Sequence, residues 1–307
     1  MVVDMTANSN PIYVIGSINT DMVAMTEVLP SLGETVMGGE FMMTAGGKGA
    51  NQAVAAARMG GDVTMIGRLG NDVFAEQSIN RLKSENINCE FITKDTEKAS
   101  GVALISVDKN GENHIVVAPG ANATLTKERL KAVLKKMPDN AIVMMQLEIP
   151  LESVASVIEF CKKSNIKIML DPAPANNLTP EFTQSLYMIT PNETEATALT
   201  GIKIKGLSDV KKVATKLLGF GSQYILITMG AKGVYLASQN DEFEYIPSPK
   251  VTTVDSTAAG DCFNGTMAVA LSQGLSVSEA AKKACRAASI SVTRKGAQDS
   301  MPFINEL

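Results

Sequence analysis

Tryptophan is absent from this 307-residue chain, and a single histidine, His114, stands in all of it. One imidazole excludes a His-rich metal site and argues against Ser-His-Asp or Cys-His catalysis. His114 follows Asn110-Gly111 in an alternating stretch, the place of a hairpin residue rather than a catalyst. The four cysteines, Cys89, Cys161, Cys262 and Cys285, form no CxxC pair, so a disulfide scaffold is not expected. Reduced thiols and a cytoplasmic setting are. No apolar run approaches membrane-spanning length. A net charge of −4 and a pI near 5.3 argue against general affinity for nucleic acid or acidic membranes. Residues 1–10 show neither a basic region nor an apolar stretch, so no secretory signal is read there and a short disordered tail is expected. If the protein is an enzyme, its general base is a carboxylate.

What is present describes an ordinary globular chain, 45% hydrophobic and 20% charged, long enough for one large α/β domain or two smaller ones. Short apolar runs predict strands at residues 13–15, 63–66, 142–145, 167–170, 188–190 and 225–228. Between them, helical periodicity spans 50–59, 74–85, 127–136, 151–164, 210–218, 260–273 and 278–292. Such alternation implies a mostly parallel central sheet sandwiched by helices, binding its ligand beyond the carboxyl ends of the strands. Residues 21–44, with short segments around 23–25 and 35–43, and residues 100–118, flanking Asn110-Gly111, break the alternation. They predict a small β-sheet projecting from one α/β domain over residues 11–307, either a lid or an edge extension of the main sheet. A lid would exclude water from a phosphoryl transfer.

The most pointed motif is Asp255-Ser-Thr-Ala-Ala-Gly-Asp-Cys-Phe-Asn-Gly265. Its small-residue turn, Ala258-Ala259-Gly260, runs into an apolar periodic segment, placing free N–H groups at a helix N-terminus where an anion is favoured. Asp261 sits at the same spot. It is either a helix cap or a base working beside a phosphate. Cys262 adjoins it, and burial is the usual fate of such a thiol. Gly46-Gly-Lys-Gly-Ala-Asn51 opens another helix, yet Gly49 stands where a Walker loop needs Ser or Thr, and a plain tight turn would explain it equally. In Gly16-Ser-Ile-Asn-Thr-Asp21, Asn19 and Asp21 alternate and can face one side, or form an Asx-turn. Pro191-Asn-Glu-Thr-Glu195 suits a capped helix start, and Thr228-Met-Gly-Ala-Lys-Gly233 suits either backbone laid along a nucleotide or a hairpin. The segment Arg294-Lys-Gly-Ala-Gln-Asp-Ser300 after the last helix offers carbonyls to a cation or merely crosses the surface.

Taken together and in this order, these motifs resemble the ribokinase family of carbohydrate kinases (the PfkB group) over residues 12–302. Gln146-Leu-Glu148 and Asp171-Pro-Ala-Pro174 add to the likeness. Ala258 departs from it, since the broader family usually has Gly there. The resemblance implies a Rossmann-like ribokinase fold with a lid, and ATP-dependent phosphorylation of D-ribose at its 5-hydroxyl. Asp261 would accept the proton, a task within reach of a carboxylate of ordinary pKa, while backbone N–H groups of Ala258, Ala259, Gly260 and Asp261 hold the phosphoryl charge. Asn19, Asp21, Gly46, Gly47, Asn51 and Glu148 would bind the sugar, with Lys48 adding charge near the transferred group. Asn192, Thr228, Gly230, Lys232, Gly233, Gly260 and Cys285 would lie along ATP. Glu195 would order Mg2+ through water. The implied K+ ligands are the Asp255 carboxylate, the Thr257, Ser291, Arg294 and Gly296 carbonyls and the Ser300 side chain. A homodimer paired through the lid strands is implied as well. Alternatives are a kinase for another sugar or for a nucleoside, against which aromatics at 5% count, and a non-catalytic sugar sensor.

Overall fold

The computed structural model describes residues 9–176, 178–240 and 242–307. The expected tail therefore lies outside the described residues apart from Ser9 and Asn10, where the Asn10 N–H donates to the Ser272 carbonyl at 3.1 Å. In chain order the strands are β1 (Ile12–Ile15), β2 (Asn19–Met25), β3 (Phe41–Gly46), β4 (Val63–Leu69), β5 (Asn88–Lys94), β6 (Gly101–Val107), β7 (Asn113–Ala118), β8 (Ile142–Met145), β9 (Lys167–Leu170), β10 (Met188–Ile189), β11 (Tyr224–Thr228), β12 (Val234–Ser238) and β13 (Phe243–Ile246). The helices are α1 (Lys48–Arg58), α2 (Val73–Ser84), α3 (Lys127–Leu134), α4 (Leu151–Ser164), α5 (Pro180–Thr183), α6 (Glu193–Thr200), α7 (Leu207–Leu218), α8 (Ala259–Ser272) and α9 (Val277–Ser291).

Nine strands form the main sheet in the order β13-β12-β11-β10-β9-β8-β1-β4-β5, parallel from β5 to β11. Its central strands are apolar, apart from the exposed Lys167 that opens β9, because both faces are covered. Alternate residues feed two cores. Ile12, Val14, Ile142 and Met144 pack with α1, α2, α8 and α9. Ile15, Val143, Met145 and Ile168 face α3, α4, α6 and α7. Among the described residues no helix is long and apolar enough to cross a membrane.

The second sheet has the order β3-β2-β6-β7, with a parallel β2–β6 pair and antiparallel outer pairs. It is the projecting lid. The hairpin closes at residues 108–112, where Asp108 Oδ1 accepts from the N–H groups of Asn110 (2.8 Å) and Glu112 (3.0 Å). His114 is exposed on β7, opposite Ser106.

Two readings change and one alternative is decided. The segment expected around 35–43 becomes β3 only from Phe41, because Gly38-Gly39 interrupts regular pairing, and the strand runs into the Gly-rich loop itself. Asn19 and Asp21 lie in β2 rather than in a loop, so strand alternation puts them on one face. Finally β5, β12 and β13 were not anticipated. Residues 229–233 form the turn of an antiparallel β11–β12 hairpin through a short 3-10 turn, Gly230–Lys232.

Close packing of α1 on α8 sets up the site. A Cβ at Gly265 would come within 2.7 Å of the Gln52 carbonyl oxygen and 2.8 Å of the Ala56 nitrogen. The bare glycine lets the two helices approach, bringing the start of α1 against the start of α8.

Candidate active site

Asp261 stands in the first turn of α8, 5% exposed, among side chains from four other parts of the chain. Its Oδ2 accepts from Asn51 Nδ2 (3.0 Å) and its Oδ1 from Gln52 Nε2 (3.1 Å). Burial raises its pKa. Lys48 and the two amides pull it down, and Glu148 pushes it up again, leaving it above the ordinary carboxylate range that the sequence suggested would suffice.

The helix start is unusual. Ala258 caps α8 with φ 58° and ψ 17°, a left-handed backbone that costs a non-glycine residue about 1 kcal/mol. The Ala259 N–H already donates to the Ser256 carbonyl (3.3 Å). Gly260 and Asp261, in the first turn, have no intrahelical carbonyl to bind, and their N–H groups stand at the end of the helix where an anion is favoured. Ala258→Gly should therefore raise the unfolding free energy by roughly 0.5–1 kcal/mol and leave kcat within about twofold, since the N–H groups are retained. Urea unfolding and steady-state turnover test this, and a loss of stability would contradict the strain.

Lys48 opens α1 and belongs to a cluster of acids. Burial works against its ammonium, but Asp261, Asp171, Glu148 and Glu195 outweigh it and hold the pKa above the usual lysine value. Asp171 is pushed well up by burial, relieved by Lys48 and reinforced by Asp261, Glu195 and Glu148. Asp21 is raised to about 6 by burial, then by Glu148 and Asp261. Glu148 Oε2 accepts from the Lys48 N–H (3.1 Å) and from the Ser17 hydroxyl.

The expected sugar residues meet here. Antiparallel pairing sets Asn19 opposite Gly46 and Asp21 opposite Thr44. A Cβ at Gly46 would overlap both Asp21 carboxylate oxygens, and at Gly47, whose φ is 86°, a Cβ would come within 2.7 Å of the Asn19 nitrogen. Asn122 fixes Asn19. Its Nδ2 donates to Asn19 Oδ1 (2.8 Å) and to the Ile18 carbonyl (3.1 Å), while its Oδ1 accepts from the Ile18 N–H (3.0 Å).

A cavity of about 830 Å³ opens on the other group of predicted residues. Its walls include Asn192, Thr228, Gly230, Gly233, Gly260 and Cys285, and also Lys48, Glu195 and Asp261. Lys232 is not part of the wall. It lies on the surface, where its ammonium pairs with Glu193 at 3.1 Å. Asn19, Asp21, Gly46, Gly47, Asn51 and Glu148 are not wall residues, yet Asn51 binds Asp261 and both Asp21 and Glu148 are coupled to it. Asp261 and Lys48 thus stand where the two groups join. Asn192 and Glu195 form a reciprocal capping box on α6, with Glu195 Oε2 accepting the Asn192 N–H (2.9 Å) and Asn192 Oδ1 the Glu195 N–H (2.9 Å). One oxygen of each is therefore committed to the helix start.

Of the residues named for K+, Thr257 and Gly296 meet Asp255. Asp255 Oδ1 accepts from the Thr257 N–H (2.9 Å) and hydroxyl (2.6 Å), and Oδ2 accepts from the Gly296 N–H (2.9 Å). Burial opposes the Asp255 anion, but these bonds and Lys295 win and lower its pKa. The Ser291 carbonyl takes the Arg294 N–H (3.0 Å) and the Ser300 hydroxyl donates to the Ala297 carbonyl (2.8 Å). The donor set is a charged carboxylate, carbonyls and a hydroxyl acting as acceptor. Such hard oxygens suit an alkali cation.

Gln52 and Asn122 escape the sequence reading, and Ser17, Gln146 and Asp171 enter it only within motifs that carry the resemblance, with no role of their own. Their signal was faint. Gln52 is a polar residue just before the apolar run Ala53–Ala57 of α1, and Gln146 and Asp171 follow buried strands, where parallel sheets carry their sites.

An α/β sandwich with a lid, and a buried acid at a helix N-terminus between a polar cluster and a large cavity, defines a phosphotransferase architecture. The chain belongs to the pfkB family of carbohydrate kinases, whose sequence pattern matches residues 10–304. It is 39% identical to the ribokinase of Haemophilus influenzae, over 95% of this chain and 95% of that one. With the deoxyribokinase of Salmonella typhi it shares 38% identity over 96% of each. Among solved structures, the ribokinase of Arabidopsis thaliana in complex with ribose and ATP superposes with a TM-score of 0.91, at 31% identity and covering 97% of both chains.

Proposed function

We propose that this protein transfers the γ-phosphoryl group of ATP to the 5-hydroxyl of D-ribose. The observation that carries the reading is the position of Asp261, buried at the start of α8 where the sugar-side cluster meets the large cavity. ATP lies along the cavity wall at Asn192, Thr228, Gly230, Gly233 and Cys285. The sugar is held by Asn19, Asp21, Asn51 and Glu148, with Gly46 and Gly47 letting backbone close on it. Asp261 takes the proton of the attacking hydroxyl, and its raised pKa brings it nearer the working range of a base at neutral pH. The first-turn N–H groups of Gly260 and Asp261, with Lys48, offset charge on the transferring group. Magnesium, when bound with ATP, neutralises phosphate charge, and Glu195 would hold its water. Asp255, Thr257, Ser291, Arg294, Gly296 and Ser300 would hold K+ and keep the loop before α8 in shape.

The lid supports a dimer. Phe41, Ile115, Val116 and Val117 are all about half exposed or more, an apolar surface that a second lid would cover. A cytoplasmic location goes with sugar phosphorylation by ATP and with the four free thiols.

The test is ADP release from MgATP over ribose, deoxyribose, arabinose, fructose and adenosine, in K+ and again in Na+. Ribose should give the highest kcat/KM, and Na+ should cut its turnover about tenfold or more, the scale of a positioning effect. A preference for another sugar overturns the substrate, and equal rates in both salts overturn the cation site. Ribose binding without any turnover would mean a sensor.

A further inference from the structure

Both oxygens of the Asp261 carboxylate are held by amides, and each amide is held in turn by a second glutamine. Gln52 Nε2 donates one hydrogen to Asp261 Oδ1 (3.1 Å) and the other to Asp171 Oδ2 (2.8 Å), while its Oε1 accepts from Gln146 Nε2 (2.6 Å). Asn51 Nδ2 donates to Asp261 Oδ2 (3.0 Å), while its Oδ1 accepts from Gln298 Nε2 (3.3 Å). All six side chains are buried, with Gln52 1% and Gln146 0% exposed. The outer glutamines share an oddity. Gln146 Oε1 and Gln298 Oε1 are both buried without a hydrogen-bond partner among the described residues. A buried orphan acceptor is costly, so each glutamine is retained for what its NH2 group does.

We infer that Gln146 and Gln52 form a positioning relay for the proton-accepting carboxylate, Gln146 selecting the one orientation of the Gln52 amide that presents its NH2 to Asp261 and Asp171. The inference deepens the reading of Asp261 as the base and rests on it. An amide has two orientations differing by exchange of O and N. Reversed, Gln52 would set its carbonyl oxygen against two buried carboxylates. In that arrangement Asp261 Oδ1 loses its donor and gains a repulsive neighbour. The two acids oppose that reversal from one side, and a donor on the far side, Gln146 Nε2, opposes it from the other. The carboxylate plane is thereby fixed toward the pocket, and its anion is favoured over the protonated acid. Other charged groups acting on Asp261 are Lys48 from α1, Glu148 after β8, Asp171 after β9 and Asp21 from β2, none of which bonds to Gln146.

Gln146→Met tests the relay. Methionine nearly conserves volume and removes the orphan acceptor along with the donor, so the melting temperature should hold or rise. We expect kcat to fall about tenfold with both KM values within about twofold, the pattern of an interaction made in the transition state. The acid limb of the kcat–pH profile should move to higher pH. Gln52→Met should do the same or more, and the double variant should be no worse than Gln52→Met alone, because Gln146 acts only through Gln52. Additive losses, or lower kcat with an unmoved acid limb, would reduce Gln146 to a packing residue and overturn the inference. Failure of the underlying reading looks different, because Asp261→Asn would then retain turnover. If Gln52→Met does not fold, Gln146→Met and Gln146→Glu still decide the matter. The glutamate cannot donate when ionised and should reproduce the loss, with partial recovery at low pH.

Discussion

Asp261→Asn is expected to lower kcat by about a thousandfold, within the range for loss of a general base, while ATP and ribose still bind. The amide keeps size and shape but takes no proton, and its NH2 group meets the donors Asn51 Nδ2 or Gln52 Nε2 where a carboxylate oxygen accepted. Stability should move the other way. Burial dominates the shift of Asp261 and raises its folded pKa above 3.8. A raised carboxyl pKa means that the native state holds the proton more tightly than the unfolded chain. Its stabilising contribution is complete below the unfolded pKa and is lost as pH rises through the folded one. Above its folded pKa the wild type thus carries a buried anion whose desolvation the asparagine removes. The melting temperature of the variant should equal or exceed that of the wild type there, and the difference should shrink toward pH 4. Calorimetry across pH, with ligand titrations and turnover, reads all three quantities. A kcat near that of the wild type would take Asp261 out of the base role. A collapse of ATP binding together with kcat would make it a structural cap instead.

The parts of this molecule that were legible in the sequence share one physical property, locality. A parallel strand buried on both faces must be apolar throughout, so β8 appears at its full extent as an unbroken run, and β9 does so after its exposed first residue, Lys167. α4 shows its period over 14 residues. The Asn110-Gly111 turn announces its hairpin. What stayed hidden depends on partners far along the chain. β12 and the edge strand β13 look like a continuation of a Gly-rich loop until β11 supplies β12, and β12 supplies β13, with an antiparallel neighbour. Asp261 drew notice because its own turn is peculiar, whereas Gln146 has no local peculiarity and acquires its meaning from Gln52, 94 residues away. Asn192 and Glu195 show the reverse. Their capping box was visible as such, and nothing in their local geometry requires a nucleotide. Site residues carried by turn chemistry can be found from sequence. Residues that orient other residues need the fold.

Asp21→Ala should weaken ribose binding about a hundredfold, the scale of a lost charge-assisted pair of hydrogen bonds, with ATP affinity nearly unchanged. Asp21 is the group most exposed to pH control, since burial, Glu148 and Asp261 raise it to about 6. Above pH 6 the carboxylate is charged and accepts hydroxyl hydrogens well. Below it the proton competes, so ribose affinity in the wild type should fall between pH 7 and 5 and be flat in Asp21→Ala. By the same sign rule as for Asp261, the stability contributed by Asp21 is full below 3.8 and lost as pH rises through about 6, so the alanine variant gains most at neutral pH. Gly46 makes the test sharper. The three atoms nearest to a Cβ built there all belong to the Asp21 carboxyl group, so Gly46→Ala should push that group out of place and mimic its loss. With Asp21 already cut to alanine the obstruction is gone. Ribose affinity of the double variant should then match Asp21→Ala alone, a strongly non-additive cycle measured by calorimetric titration. Additive losses would mean that Gly46 serves the sugar through its own backbone, and equal losses of ribose and ATP in Asp21→Ala would assign Asp21 to the fold rather than to the sugar.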